Sequence, residues 1–384
     1  MRLLMLTENY PPNSGGMAQS CDRIVANLRA EGVNVEVMHF TNHCTPFKRV
    51  EKVNGAYVAL PKHNDIAHGL NLVLSYFEHH VDITQFDCML VFGGSTPMLA
   101  APTYSRLLEL DYYLCLRGND FDISLFDPKR RAQLDSAVHG AEGVFVGSHD
   151  KLNRLSRLYP DTPAFYSPSG IDLKDWQAFA SEQAFAATWR ETHLSVGQIA
   201  IGLIGYLKTK KGVRFFLDAL LKSGCREQVH LLLSGEQPEE VLDLLHENHM
   251  EFSQIPVVDR FELIKYLLAC DWLAIPSYYE GMPNIMLEAG GLGVPVVASS
   301  LDGMRDVVEH KRTGLLFRPV DINDCAKQIK HCVNMPREER NAIGQALKEK
   351  IARGYTQQAE AQVYLQVLDG QSESKDKSAY SIVQ

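Results

Sequence analysis

Short apolar segments alternate with helical segments along most of this chain. The apolar, β-like segments of the first half are residues 2–7, 33–40, 56–60, 88–92, 112–116 and 143–146. Stretches with helical spacing lie between most of them, as over residues 17–31. Near-continuous apolar strands separated by helices are typical of parallel sheets that helices cover on both faces. The alternation therefore predicts an α/β fold.

The alternation stops over residues 169–196, which are polar and contain no clear apolar strand. It resumes with strand-like segments at 199–206, 229–234, 252–257, 272–276, 294–298 and 314–317. The pause predicts two doubly wound, Rossmann-like domains. We place them at residues 1–175 and 176–354, followed by a helix over 355–370 with one apolar side and a polar, disordered tail over 371–384.

Length and composition are those of a globular protein that needs no covalent support. The 384 residues are 45% hydrophobic and 22% charged, and the eight cysteines are scattered without a Cys-x-x-Cys pair. The cysteines are therefore interpreted as small core residues in a reducing compartment. The N-terminus does not resemble a signal peptide, and no apolar run approaches the roughly 18 residues of a membrane span. A cytoplasmic location is the default expectation.

The net charge of -9 argues against nucleic acid as a partner. One local exception is the basic segment 151–158, where lysine and arginine recur every third residue between leucines. A solvated helix with one buried stripe is the favoured interpretation. The alternative is a functional one, in which this helix makes a peripheral contact with an anionic lipid surface.

In open parallel sheets, ligands bind beyond the carboxyl ends of the strands. The chemistry is therefore expected in the post-strand loops at residues 8–17, 117–127, 205–212, 235–238 and 276–284. The last of these opens the stretch "SYYEGMPNIMLEAGGLGVPVVASS", residues 277–300.

Pro283 predicts a helix start within this stretch, because proline is favoured at the first helical position. Met282 has no side-chain oxygen with which to cap the helix, and Gly281 leaves space nearby. The first amides, from Asn284 onward, are then unpaired donors at the positive end of the helix dipole. Either a phosphate group binds them, or water or Ser277 does.

Glu280 and Glu288 flank this helix start. Glu288 lies four residues after Asn284 on the same face and leans toward the helix N-terminus. Its two oxygens suit the hydroxyls of a ribose, and a salt bridge to a lysine or arginine is the alternative. Glu280 suits the hydroxyls of a sugar beyond the phosphate, and stabilisation by the helix dipole is its alternative.

The stretch resembles the donor-site signature of the retaining glycosyltransferases of family 4, which have the two-domain GT-B architecture. That signature is a glutamate, seven residues and a second glutamate, embedded in P-S-x-x-E-G-x-P and G-x-P-V-V-A-S, as here. The resemblance extends over nearly the whole chain. Its other segments are "ENYPPNSGGMAQSCDRIVANLRAEGVNVEVM", "SPSGIDLKDW", "IGLIGYLKTKKGVRFFLDAL" and "DGMRDVVEHKRTGLLFRPVD". The helix near the C-terminus resembles one that crosses back onto the first domain.

The resemblance implies two domains facing a central cleft and a role for each matching residue. Glu288 would hold the donor ribose, Glu280 would contact the transferred sugar, and Lys211 would neutralise the leaving phosphate. Gly16 would approach the diphosphate from the first domain. The implied donor-binding residues are Gly16, Gly205, Tyr206, Lys208, Lys211, Glu280, Gly281, Met282, Pro283, Asn284, Ile285 and Glu288. Without the resemblance, Lys211 is interpreted as a solvated lysine and the glycines as ordinary turn residues.

Two positions depart from the family pattern. Tyr206 stands where the family has a phosphate-binding arginine, and Lys208, Lys210 and Arg214 are candidates for the missing charge. Arg117 stands where many members have a histidine that faces the sugar. We predict that Arg117 contacts the sugar or a phosphate, and that Asp120 is a carboxylate on the acceptor side. The catalytic candidates are Lys211, Glu280, Arg117 and Asp120.

Other motifs add no cofactor. Asp120 and Asp122 form a D-x-D triplet of the kind that holds a metal in another glycosyltransferase fold, but an acceptor loop or helix cap is favoured here. The sequence contains no H-E-x-x-H, no G-x-G-x-x-G and no P-loop motif. Neither a catalytic metal nor a bound cofactor is therefore expected.

Together these features predict a metal-independent, retaining transfer of a sugar from a nucleotide diphosphate donor to an acceptor hydroxyl. The acceptor would be a sugar, a lipid-linked molecule or a small molecule, in the biosynthesis of a surface polysaccharide, glycolipid or glycoside. The alternatives are a nucleotide-sugar epimerase of the same architecture and a sugar-nucleotide-binding protein without catalysis.

Overall fold

The computed structural model describes residues 1–13, 15–42, 47–118, 120–205, 209–235 and 237–373. The chain divides into two compact units. Unit 1 comprises Met1–Ser169 together with the helix that begins at Gln357, and unit 2 comprises Gly170–Thr356. Each unit is an α/β fold built on one sheet.

The sheet of unit 1 has eight strands. They are β1 (Arg2–Thr7), β2 (Asn34–Thr41), β3 (Lys48–Lys52), β4 (Gly55–Pro61), β5 (Cys88–Phe92), β6 (Tyr112–Leu116), β7 (Gly143–Val146) and β8 (Ala164–Tyr166). Their order is β3-β4-β2-β1-β5-β6-β7-β8, and all pairs are parallel except β3 with β4. The order reverses direction between β1 and β5, which is where such sheets bind ligands.

The first six helices belong to unit 1. They are α1 (Gly16–Ala30), α2 (Ile66–His80), α3 (Ser95–Leu108), α4 (Asp120–Phe126), α5 (Pro128–His139) and α6 (His149–Leu158). Both faces of the sheet are buried: Leu4 and Leu6 of β1 belong to one hydrophobic cluster, and Leu3 and Met5 belong to another. This is why the strands are apolar throughout and do not alternate with polar residues.

The sheet of unit 2 has six strands, all parallel. They are β9 (Ile199–Leu203), β10 (Val229–Ser234), β11 (Glu251–Ile255), β12 (Trp272–Ile275), β13 (Val296–Ser299) and β14 (Leu315–Phe317). Their order is β11-β10-β9-β12-β13-β14, which reverses direction between β9 and β12. This is the doubly wound order, with its ligand-binding switch point between those two strands.

Eight helices follow in unit 2. They are α7 (Ala180–His193), α8 (Val213–Ser223), α9 (Glu239–Glu247), α10 (Leu263–Ala269), α11 (Asn284–Gly291), α12 (Asp302–Val307), α13 (Ile322–Asn334) and α14 (Arg337–Gly354). The last described helix, α15 (Gln357–Glu373), belongs to unit 1 and packs against α1.

The predicted α/β fold is confirmed, and every segment predicted as a strand contains one. Strands β3 and β8 were not predicted, because β3 is charged and mostly exposed while β8 has only three residues. Helix α15 extends to Glu373, so the first residues of the predicted disordered tail are helical, and residues 374–384 lie outside the described part of the chain. The seven described cysteines are buried free thiols.

An ion-pair network anchors α15 within unit 1. The buried carboxylate of Glu360 accepts hydrogen bonds from Arg23 Nε at 2.8 Å and from Arg117 Nη2 at 2.6 Å. One turn later, the Tyr364 ring lies 4.5 Å from the Phe145 ring, measured between centroids. The carboxylate thus balances two arginines where water is largely excluded.

We expect Glu360→Ala to lower the free energy of unfolding by about 3–5 kcal/mol, because it leaves buried Arg117 without its counter-ion. Arg312→Ala is the control, since it removes an exposed pair with Glu309 in which the Arg312 side chain is 75% exposed. That change should cost no more than about 1 kcal/mol. Urea denaturation measures both, and equal small effects would contradict the anchoring role of Glu360.

Candidate functional site

The loops after β9 and β12 meet at the switch point of unit 2. The amide of Tyr278 donates a hydrogen bond to the carbonyl of Lys210 at 2.9 Å. Gly212 has a φ of 67°, and a Cβ there would collide with the carbonyl oxygen of Pro276. Only glycine therefore permits this close approach, which brings residues 209–212 against the end of β12.

Lys211 and Glu280 form an ion pair where these loops meet. Their Nζ and Oε2 atoms are 2.8 Å apart, and the side chains are 23% and 16% exposed. Lys210 Nζ lies farther from the same oxygen, at 3.9 Å, and 5.5 Å from the centroid of the Tyr279 ring. An ammonium group has three donors, and Glu280 takes one from Lys211. The pair thus offers a positive charge and a carboxylate side by side.

Helix α11 begins beside this pair without a side-chain cap. Pro283 occupies the N-cap position, one residue earlier than predicted, and the Met286 amide bonds back to its carbonyl at 3.1 Å. The hydroxyl of Ser277 is buried and has no hydrogen-bond partner among the described residues, so Ser277 does not cap the helix. The positive end of the helix dipole therefore lies at the turn that follows Glu280, where it favours an anion.

The turn before α11 is packed closely. Gly281, Met282 and Pro283 are buried, and a Cβ on Gly303 would lie 2.9 Å from Met282 Cβ. Glu288 lies one helical turn after Asn284 and is half-buried, although its neighbours in the sequence are fully buried. Glu288 is therefore partly exposed within an otherwise buried helix segment.

The other predicted donor-binding residues are distributed as follows. Gly205 follows β9 with a φ of 123°, and a Cβ there would meet no atom of the described residues within 4 Å. Tyr206 and Lys208 lie outside the described residues. Ile285 is half-buried in the first turn of α11. Gly16 is the first residue of α1 in unit 1, and its role toward a donor stays a prediction.

Unit 1 has a polar cluster at its own switch point. Glu8 follows β1, and its Oε1 accepts a hydrogen bond from the amide of Ser95 at 2.9 Å. Its Oε2 lies 2.8 Å from Lys62 Nζ. Sequence reasoning did not single out Glu8 or Lys62, although Glu8 lies in the predicted post-strand loop 8–17. Glu8 thus connects the loop after β1 to the start of α3.

Asp120 begins α4 at the same edge of the sheet. Burial raises the pKa of its carboxyl, the nearby Lys151 ammonium opposes that shift, and Glu8 adds to it. Its Oδ2 has no hydrogen-bond partner among the residues that the structure describes. Lys151 is buried and donates to the carbonyl of Gly118 at 2.5 Å. The structure thus holds Asp120 in a carboxylate-rich, partly desolvated position.

Asp122, the second carboxylate of the D-x-D triplet, lies near two cations of α6. Asp122 Oδ2 lies 3.4 Å from Lys151 Nζ, and Asp122 Oδ1 lies 3.4 Å from Arg154 Nη1. Lys151 belongs to the buried stripe of α6, while Arg154 is exposed. Within the described ranges, no group of three or more His, Cys, Asp or Glu side chains has the geometry of a metal site.

Arg117 is buried and fully engaged within unit 1. Its Nη1 donates to the carbonyl oxygen of Ser167, and to the Ser167 hydroxyl at 3.1 Å. Its Nη2 donates to the Ser169 hydroxyl at 3.1 Å and to Glu360. The predicted contact with a sugar or a phosphate would have to compete with these bonds.

No described helix is long and apolar enough to cross a membrane.

Comparisons with known proteins find relatives that are named glycosyltransferases. The family model described as "Glycosyl transferases group 1" matches residues 198–335, which include Lys211, Glu280 and Glu288. A putative teichuronic acid biosynthesis glycosyltransferase of Bacillus subtilis is 25% identical over 74% of this chain and 69% of its own length. A GDP-mannose-dependent α-(1-6)-phosphatidylinositol monomannoside mannosyltransferase of Mycobacterium tuberculosis is 23% identical over 91% of this chain and 93% of its own.

Solved structures share the fold. Sucrose-phosphate synthase from Thermosynechococcus elongatus superposes with a TM-score of 0.80 at 18% identity, covering 96% of this chain and 99% of that one. Anabaena HepE in complex with UDP-glucose superposes with a TM-score of 0.76 at 17% identity, covering 96% and 100%. The fold is GT-B, as predicted. The chain is a glycosyltransferase, and its residues 198–335 are similar to the group 1 glycosyl transferases.

Asp120→Asn should raise the melting temperature at pH 7, because the charged carboxylate is disfavoured in the folded state. Since the folded pKa is raised, the stability contributed by the neutral form is lost as the pH rises through that value. The advantage of the variant should therefore shrink as the pH falls toward about 3.9, the pKa of an unperturbed aspartate, and be lost below that pH.

The matched control is Asp122→Asn, which leaves buried Lys151 without this partner and should lower the melting temperature at pH 7. Thermal melts between pH 3 and pH 8 measure both variants. A lower melting temperature for Asp120→Asn at pH 7 would show that the charge of Asp120 stabilises the fold.

Proposed function

We propose that this glycosyltransferase transfers a hexose-type sugar, with retention of configuration, from a nucleoside diphosphate sugar to an acceptor hydroxyl. The observation that carries this proposal is the Lys211–Glu280 pair beside the uncapped start of α11. It lies at the switch point of unit 2, where doubly wound sheets bind nucleotides.

The donor fits this site group by group. The positive end of the α11 dipole and the ammonium group of Lys211 suit the oxygens of a diphosphate. Glu280 holds Lys211 in place and accepts hydroxyl hydrogens of the sugar next to the diphosphate. Glu288, one turn into α11, accepts the two hydroxyls of the ribose.

Lys211 and helix α11 also stabilise charge that develops during the reaction. As the bond between the sugar C1 and the diphosphate oxygen breaks, its electron pair leaves with the nucleoside diphosphate. Lys211 and the dipole of α11 stabilise the negative charge that develops there. The acceptor oxygen bonds to C1, and its proton passes to the diphosphate oxygen that departs. Lys211 and the helix supply positive charge in the protein itself, so the proposal requires no metal ion.

The acceptor is proposed to be a sugar or a lipid-linked molecule of a surface polysaccharide or glycolipid pathway. The names of the Bacillus and Mycobacterium relatives support this class. Glu8 and Asp120, at the switch-point edge of unit 1, are carboxylates of the kind that accept hydrogen bonds from acceptor hydroxyls. A cytoplasmic location stays a prediction from composition.

A thermal-shift screen of UDP-, GDP-, ADP- and dTDP-sugars identifies the donor, because a ligand that binds only the folded state raises its melting temperature. Release of nucleoside diphosphate in the presence of simple glycoside acceptors then measures turnover. Lys211→Ala should lower kcat by roughly 10²–10³-fold, the usual effect of losing one group that stabilises developing charge.

Lys210→Ala is the matched control, since it also removes one ammonium group, but its Nζ lies farther from the Glu280 oxygen, at 3.9 Å. We expect it to change kcat by less than about tenfold, within 1.4 kcal/mol. Equal losses for both lysines would contradict the role of Lys211. The absence of any shift with all four donors would contradict the proposed function.

A further inference from the structure

A buried histidine lies beside the start of the loop that follows β1. His39 is fully buried, and it is the register partner of Thr7, the last residue of β1. Residues 8–13 continue from Thr7 along the carboxyl edge of the sheet, and Glu8 is the first of them. A buried imidazole requires hydrogen-bond partners for its ring nitrogens, so those partners show what His39 holds.

Both ring nitrogens of His39 have a partner. Nδ1 lies 2.9 Å from the Tyr57 hydroxyl, and Nε2 lies 3.3 Å from Asn13 Nδ2. Asn13 Nδ2 also donates to the backbone carbonyl of Glu8 at 3.0 Å, and the Asn13 amide donates to the carbonyl of Tyr10 at 3.0 Å. Asn13 therefore closes the loop of residues 8–13 on itself and joins it to His39.

The carbonyl of Glu8 fixes the orientation of the Asn13 side chain, and with it the tautomer of His39. A carbonyl oxygen only accepts, so it must face the NH₂ group of Asn13, and the same NH₂ group faces His39 Nε2. Nε2 is therefore the acceptor nitrogen, and the ring proton lies on Nδ1, which donates it to the Tyr57 hydroxyl oxygen. The imidazole in this arrangement is neutral.

Aromatic packing holds the imidazole and the loop together. The Tyr10 ring stacks on the Tyr57 ring, with centroids 5.7 Å apart and an angle of 24° between the planes. It meets the His39 ring edge-on, with centroids 6.1 Å apart and an angle of 67°. Since Tyr10 belongs to the loop, these rings supplement the bond from Asn13 in attaching the loop to β2 and β4.

The loop held in this way carries Glu8. Its carboxylate accepts a hydrogen bond from the amide of Ser95 and pairs with Lys62, while its backbone carbonyl is the group that Asn13 binds. Loss of the acceptor at His39 Nε2 would leave the Asn13 side chain free to turn away from Glu8. The position of the Glu8 carboxylate would then be less well defined.

We propose that His39 is a positioning residue for acceptor binding: its Nε2 accepts the Asn13 side chain and thereby fixes the loop of residues 8–13, with Glu8, at the switch point of unit 1. The inference rests on the proposed function and adds to it the group that positions a carboxylate on the acceptor side. His39 is buried and acts through Asn13, without touching a substrate.

Two substitutions separate the acceptor nitrogen from the rest of the side chain. His39→Gln keeps an acceptor, because its Oε1 reaches about as far as Nε2 of the imidazole. His39→Leu has a similar volume and no acceptor. Asn13→Ala removes the same hydrogen bond from the loop side, at a half-buried residue where a loss of folding is less of a concern.

Hydrogen exchange of the ligand-free, full-length protein measures the loop without any substrate. The amide of Asn13 is bonded to the carbonyl of Tyr10, so it is protected only while the loop keeps this shape. His39→Leu should speed its exchange about tenfold, the size of one net hydrogen bond. His39→Gln should stay within about threefold of the wild type.

The kinetic measurement uses the nucleotide sugar that raises the melting temperature most, with a methyl glycoside as acceptor. His39→Leu should raise the acceptor KM about tenfold and leave the donor KM within about twofold, because Glu8 is proposed to act on the acceptor alone. His39→Gln should restore the acceptor KM. Asn13→Ala should match His39→Leu, and the double variant should show no further loss, since both remove one interaction.

The matched control is His230→Leu, which removes a buried histidine of unit 2 whose Nε2 lies 2.8 Å from the Ser253 hydroxyl. It should leave the acceptor KM unchanged. An unchanged acceptor KM in His39→Leu, or His39→Gln behaving like His39→Leu, would overturn the inference and leave the proposed function intact. A wild type that turns over no nucleotide sugar would contradict the proposed function, while the exchange of Asn13 would still decide whether His39 holds the loop.

Discussion

The ion pair between Lys211 and Glu280 depends on two loops that follow neighbouring strands of one parallel sheet. Gly212 permits the loop after β9 to touch the carbonyl of Pro276, and the bond from Tyr278 to Lys210 fixes the contact. Both charged side chains remain only partly exposed, so their attraction is less screened than that of a surface pair. The position of the positive charge is thus set by backbone packing and does not depend on a ligand.

The same edge of the sheet orders the rest of the site in unit 2. The loops after β9 and β12 place Lys211 and Glu280 at this edge, beside the start of α11. Parallel pairing produces this arrangement, because all carboxyl ends lie on one side of the sheet.

The strands and the donor motif were readable from the sequence because each depends on local patterns. A strand that is buried on both faces is apolar throughout, and the spacing of Glu280 and Glu288 is fixed by one turn and one helix. The pairing of Arg117 with Glu360 was not readable, since 243 positions separate the two residues. Sequence reasoning therefore assigned Arg117 to the site, while the structure shows it bonded to α15, Ser167 and Ser169.

Asp120 illustrates a second limit. Whether a carboxylate loses its water depends on neighbours that no local pattern specifies. Helix α7 was missed for a related reason, because only Ala186 and Trp189 of its 14 residues are fully buried. Its apolar pattern is consequently too weak to predict a helix.

The most direct test of the account is a crystal structure of the protein with its nucleotide-sugar donor. We predict that both ribose hydroxyls lie within about 3.2 Å of the Glu288 carboxylate oxygens, the range of a hydrogen bond. The diphosphate should lie at the first turn of α11 beside Lys211. A ligand lodged elsewhere, with Glu288 bonded only to neighbouring protein groups, would contradict the account.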